Sequence, residues 1–169
     1  MLTLWAAVVA ERLGHPPDTA LTLGRAAAGA SARAKARRLG IADERTGDDD
    51  ERREAPRGHD RKPTPARSVR LLGREIPVAA AKGGVAVALD KDKPASPSAV
   101  GDYLARVFGE RLGEVRGAME EVAALLPPDE LDRVGFRLHE RFRPEVPEGV
   151  ESWGAEAELR VERIRGAAG

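Results

Sequence analysis

The sequence predicts a mainly α (α+β) fold: an N-terminal helical pair, a flexible charged linker, then a β-hairpin followed by about three helices. Three observations carry that expectation. Apolar residues recur at helical spacing from Leu4 to Leu23 and again from Val100 to Phe142. Two short strand-like runs, Glu75 to Ala81 and Val85 to Leu89, flank Lys82-Gly83-Gly84. Between Ile41 and Val69 there is no large apolar residue at all. The chain thus divides into a helical pair over 1–41, a linker over 42–67 and a hairpin-plus-helix segment over 68–169. At 169 residues and 41% hydrophobic content it is long enough for one real core.

In the first helix Leu4, Trp5, Val8, Val9 and Leu13 line one face, and Gly14 ends it. Pro16 and Pro17 suit the turn and the first helical position, and Asp18 puts a carboxylate in the first turn, where the helix dipole favours it. The second helix is expected from about Pro17 to Leu39. Its inner face is mostly small, with Ala20, Gly24, Ala27, Ala28 and Ser31 beside the larger Leu21 and Leu23. Glycine costs about 1 kcal/mol in a helix interior, so Gly24 and Gly29 imply close approach by another helix. Arg37 and Arg38 complement the negative end, and Gly40 can take the left-handed cap with Ile41 as the apolar contact after it. A pair of this size rarely buries enough surface to fold alone. It must dock on the rest of the chain or on a second copy.

The stretch 42–67 is nearly all charge, Pro and Gly, and cannot offset its ordering entropy by burial, so a flexible linker is expected. Beyond it Val69, Leu71 and Leu72 lead into the hairpin, whose glycines supply the positive φ of a tight turn. Pro77 demotes the first hairpin strand to an edge. Asp90 to Pro94 reads as a charged turn. Ser96 and Pro97 then cap and start a helix with Val100, Leu104, Val107 and Phe108 inward and Tyr103 partly so. Gly109 separates it from a helix carrying Leu112, Val115, Met119, Val122 and Leu126, stopped by Pro127-Pro128. Leu131, Val134, Leu138 and Phe142 mark the next helix, up to Pro144, and Leu159, Val161 and Ile164 a short last element of open type.

Net charge is zero, with Lys+Arg and Asp+Glu both at 28, so no strongly charged partner follows from the total. The distribution is uneven. Residues 1–41 hold six basic and two acidic side chains, whereas 68–169 hold fifteen and eighteen. Cysteine is absent, which excludes disulfides, thiolate chemistry and Cys-based metal sites. Met1 to Ala10, the longest uncharged stretch, is far short of the roughly 20 residues of a membrane helix, so a soluble cytoplasmic protein without membrane partners is expected.

The sharpest functional pattern is a helix-turn-helix-like opening, with Ala10 four residues before Gly14 and Val9, Leu13, Ala20 and Leu23 pointing inward. Its candidate nucleic-acid or anion contacts are Arg25, Arg33, Lys35, Arg37 and Arg38. Pro17 and Asp18 stand where a reader of base edges would carry Arg, Asn or Gln, and an ordinary helical hairpin is the competing reading. His139 beside Glu140 invites a general-base role, but nothing else sits at catalytic spacing, and a structural histidine is expected. His15, His59 and His139 are scattered, and Glu120-Glu121 and Asp129-Glu130 lie where solvation or dipole pairing suffices. Lys82-Gly83-Gly84 lacks the spacing of a phosphate loop. No catalytic residue, cofactor or metal is therefore expected. Trp5 and Trp153 read as core, packing the tail against the first helices.

The runs LTLWAAV (Leu2 to Val8), ALTLGRAAAG (Ala20 to Gly29), AKARRLGI (Ala34 to Ile41) and RFRPEVP (Arg141 to Pro147), with Trp153-Gly154, resemble a family of short bacterial proteins with no established activity. The resemblance implies a stand-alone bacterial protein and supplies neither sites nor substrate. The sequence favours a small non-catalytic binding or regulatory protein, DNA-binding through its helical pair. The alternative is a protein-interaction or scaffold module with an unknown partner or a second copy of itself. An enzyme assembled from residues scattered along the sequence is a third reading.

Overall fold

The computed structural model describes residues 1–40, 67–80, 85–90, 93–144 and 159–169. Residues 42–66 of the linker expected over 42–67, the turn Lys82-Gly83-Gly84, His59 and Trp153 lie outside the described residues, and Arg67, the last residue of that expected linker, begins a strand instead. Two helices open the chain, α1 (Leu2–Arg12) and α2 (Pro17–Arg38). Four strands follow, β1 (Arg67–Leu71), β2 (Arg74–Ala80), β3 (Ala86–Asp90) and β4 (Lys93–Pro94), then α3 (Pro97–Phe108), α4 (Leu112–Ala124), α5 (Pro128–Phe142) and the short α6 (Val161–Arg165). The architecture is the expected helical pair followed by a β-hairpin and helices.

Helix α1 is the centre of the molecule. Thr3 to Ala10 are all buried, because α2, α4, α5 and β1 pack around it. The sequence suggested one apolar face; a helix apolar on every side belongs inside. Trp5, 0% exposed, donates its indole N–H to the Gly135 carbonyl oxygen at 2.8 Å and meets the Phe142 ring edge-on, with centroids 5.3 Å apart. This satisfies the one polar atom of the largest core side chain.

Helix α2 crosses α1 closely at Gly24, where a Cβ would overlap the Thr3 carbonyl oxygen. The expected close approach is thus real at Gly24. At Gly29 only the Arg33 side chain lies within 4 Å, so that glycine serves no helix crossing. The opposite side of α2 meets the sheet. Thr19 Oγ1 donates to the Ala86 carbonyl oxygen (2.7 Å), and Thr22 Oγ1 accepts from the Ala88 N–H (3.0 Å) while donating to the Thr19 carbonyl (2.8 Å). Gly14 has the positive φ of a turn (93°), and Gly40 takes the left-handed position after α2 (68°). Ile41 lies outside the described residues.

The sheet is antiparallel in the order β1-β2-β3-β4. This corrects the reading of Pro77 as an edge residue, because β2 is interior, flanked by β1 (Arg67–Leu71) as well as by β3. The register explains how proline is accommodated. Leu71 and Arg74 close a two-residue loop, so alternation along the ladder leaves Pro77, opposite Ser68, without a hydrogen bond toward β1. Its ring nitrogen faces β3, where pairing starts only at Val78.

The β1–β2 loop is an anchor as well as a turn. Leu72 and Gly73 both have positive φ (52° and 72°), as such loops require, and leucine is a costly residue there. Its compensation comes from α5. The Leu72 N–H donates to Asp132 Oδ1 at 2.6 Å, and its buried side chain fills the space left by Gly135, where a Cβ would come within 2.6 Å of Leu72 Cδ2. Arg70 reaches the other oxygen of Asp132 (3.6 Å).

Ser96 caps α3 by accepting from the Ala99 N–H (3.4 Å), with Pro97 at the first position as expected. Val100 and Leu104 are buried, but Val107, expected inward, is 46% exposed, because α3 lies on the flank of α2 and buries a single narrow stripe. In α4 Val115, Met119 and Val122 are buried, and in α5 Leu131, Leu138 and Phe142. The last element is helical, with Val161 and Ile164 in the same core as Trp5 and Leu23. Arginines lace the surface. Arg116 joins Glu11 of α1 to Glu120 of α4, Arg165 pairs with Glu121 (2.8 Å), and Arg141 donates to the Ala167 carbonyl (2.9 Å). The helical pair and the described residues from Ser68 onward therefore share one hydrophobic core.

Candidate functional site

All five predicted contacts lie on α2, but they fall into two places. Ala27 is the last buried residue of that helix, and from Ala28 to Arg38 every residue is half-buried or exposed. Arg33, Lys35, Arg37 and Arg38 are exposed on this outer half. Arg33 and Arg37, four residues apart, share one side, and Lys35 and Arg38, three apart, share another. Charge therefore wraps the end of the helix instead of forming a single stripe.

Arg25 belongs elsewhere. Its guanidinium lies 5.4 Å from the centroid of the Tyr103 ring on α3, an amphipathic stacking contact open to solvent. There it lines a cavity together with Lys93 of β4 and Arg106 of α3. The sequence pointed to neither partner. Lys93 looked like part of a charged turn, and Arg106 carried no signal of its own.

The opening turns of α2 are the part that would enter a DNA groove in a helix-turn-helix unit. Here Thr19 and Thr22 are committed to the backbone of β3, and Pro17 and Asp18 are the exposed side chains of the first turn. A sheet stands where base edges would have to approach.

His139 is buried deep in the core, at 7% exposure, between Phe136 and the edge of Phe142 (centroid distances 6.2 and 5.6 Å). Burial pushes its pKa down to about 4, and the charges of the Met1 amino group and Arg143 push the same way. The imidazole is therefore neutral near pH 7, and among the described residues its buried Nδ1 has no hydrogen-bond partner. The Glu120-Glu121 and Asp129-Glu130 pairs serve surface electrostatics. Glu120 and Glu121 bond Arg116 and Arg165, and Asp129 and Glu130 sit in the first turn of α5. Hydrogen bonding from Arg165 holds the Glu121 carboxyl below its usual range. Among the described residues no group of three or more His, Asp or Glu side chains could hold a metal ion, and no helix is long and apolar enough to cross a membrane.

Comparison with protein-family models, curated proteins and solved structures finds no match. What this chain binds must therefore be argued from its own surface.

Proposed function

We propose that this is a small, non-catalytic binding or regulatory protein of the bacterial cytoplasm, and that it meets the phosphate backbone of DNA through the outer half of α2. One observation carries the reading: Arg33, Lys35, Arg37 and Arg38 are clustered on a helix segment that contributes nothing buried to the core. Such a segment is available to a partner without cost to the fold. Contact through phosphates fixes position and orientation and needs no base-reading side chain, in keeping with the engagement of Thr19 and Thr22 by β3. Binding to a labelled random-sequence duplex, titrated from about 50 to 200 mM salt, should show affinity falling steeply as salt rises. Changing the four basic residues together to Ala should abolish it. Absence of binding at the lowest salt, or binding undiminished in that variant, would refute the reading.

A protein-interaction module, joining an unknown partner or a second copy, is the second reading. It is favoured by Leu39, 56% exposed at the end of the basic segment, a side chain with no use in phosphate contact. Light scattering at low and high salt discriminates between modes of self-association, since only an electrostatic contact loosens as salt rises.

A further inference from the structure

We infer that the cavity between α2, β4 and α3 is a binding site for a phosphorylated small molecule. The cavity has a volume of about 420 Å³, within the range of roughly 300–1,000 Å³ common for small-molecule sites. Three cationic side chains converge on it from three separate elements, Arg25, Lys93 and Arg106, and among the described residues no carboxylate lines it. Other arginines carried on the helices are matched by carboxylates: Arg111 with Glu114, Arg116 with Glu11 and Glu120, Arg165 with Glu121. Among the described residues none of the three cavity cations makes a salt bridge or hydrogen bond, and Arg25 has only the Tyr103 ring.

Three like charges around one concavity repel each other, and a ligand bearing two or more negative charges relieves that repulsion as it binds. Guanidinium groups offer paired N–H donors whose spacing matches phosphoryl oxygens, with the ammonium of Lys93 as a point charge beside them. Pro94, Val100 and the ring of Tyr103 give the wall an apolar part, and Ser96 adds a hydroxyl beside them. That wall suits the organic part of a phosphomonoester. This site is separate from the outer half of α2, since Lys93 and Arg106 stand on other elements.

The experiment is calorimetric titration of the full chain at low salt with phenyl phosphate and, separately, with inorganic phosphate. Phenyl phosphate should bind the more tightly. The exposed pair Lys93→Gln and Arg106→Gln, changed together, should weaken it by about tenfold or more, the loss expected for two charge-assisted contacts. Arg33→Gln with Arg37→Gln should leave it unchanged. Thermal melts of both double variants should match the wild type, since neither pair is buried. No binding of phenyl phosphate up to about 10 mM, or equal binding by the Lys93/Arg106 variant, would overturn the site. Equal affinity for the two probes would overturn the organic ligand and leave a site for free phosphate.

Discussion

Replacing Gly24 and Gly29 by alanine, one at a time, makes the same chemical change on the same helix and should move stability in opposite directions. Alanine improves helix propensity over glycine by about 1 kcal/mol in a helix interior, part of it through a less flexible unfolded chain. At Gly29 that gain is kept. The nearest atom to a new Cβ is Arg33 Nη1 at 3.4 Å, the far end of a flexible exposed side chain. At Gly24 the new methyl would overlap the Thr3 carbonyl oxygen and lie 2.9 Å from the Ala7 nitrogen, both backbone atoms of α1. Helix α1 cannot retreat, because α4, α5 and β1 pack on its other sides. Overpacking of this kind costs about 3 kcal/mol, at the upper end of what one extra methyl does, which leaves a net loss of about 2 kcal/mol after the propensity gain. For a chain of this length each kcal/mol moves the melting temperature by about 2–4 °C. Gly24→Ala should melt about 4–8 °C below the wild type, and Gly29→Ala about 2–4 °C above it. Circular dichroism melts would decide. A Gly24→Ala protein as stable as the wild type would show that α1 and α2 do not cross at that residue.

Three further perturbations test the core. Trp5→Phe removes the donor to the buried Gly135 carbonyl and part of the largest core side chain, and should cost about 3 kcal/mol in urea unfolding. Thr22→Val keeps the shape but leaves the buried Ala88 N–H without its acceptor. It should cost about 1–3 kcal/mol and speed hydrogen exchange at Ala88, whereas unchanged exchange would count against the α2–β3 contact. His139, neutral in the fold with a pKa near 4 against an ordinary 6.5, makes stability depend on pH. The unfolded chain binds the extra proton between those values, so stability falls as pH drops from 6.5 to 4, by about 3 kcal/mol in all. His139→Phe should flatten that slope in urea midpoints measured across the window, and an undiminished slope would assign the acid sensitivity elsewhere.

The parts of the fold legible in the sequence are those encoded by neighbours along the chain. Helical spacing marks α1 to α5, Pro17 and Pro97 open two of them, and Gly14 and Gly40 take the backbone conformations that end helices. Strand β1 was harder to see, since Arg67 to Leu71 has one buried residue and lacks a clear alternation. Pro77 misled for a specific reason. Proline forbids one hydrogen bond on one side, and only the ladder register reveals that this side is unpaired at that position. The candidate site was half legible. The basic end of α2 is visible as a run of residues, but the convergence of Arg25 with Lys93 and Arg106 spans about eighty residues of sequence and carries no local signal.

Composition and spacing alone settle that this chain makes amphipathic helices and a β-hairpin, because propensity, periodicity and turn chemistry act within a few residues. Which faces meet is a different matter. Trp5 bonds a carbonyl 130 residues away, Leu72 is held in a left-handed turn by Asp132, and His139 is driven into the core beside the Met1 amino group. Each of these depends on the summed burial of elements far apart in sequence. Tertiary packing therefore decided that the start of α2 serves the sheet, that its outer half carries exposed charge, and that Arg25 faces a cavity.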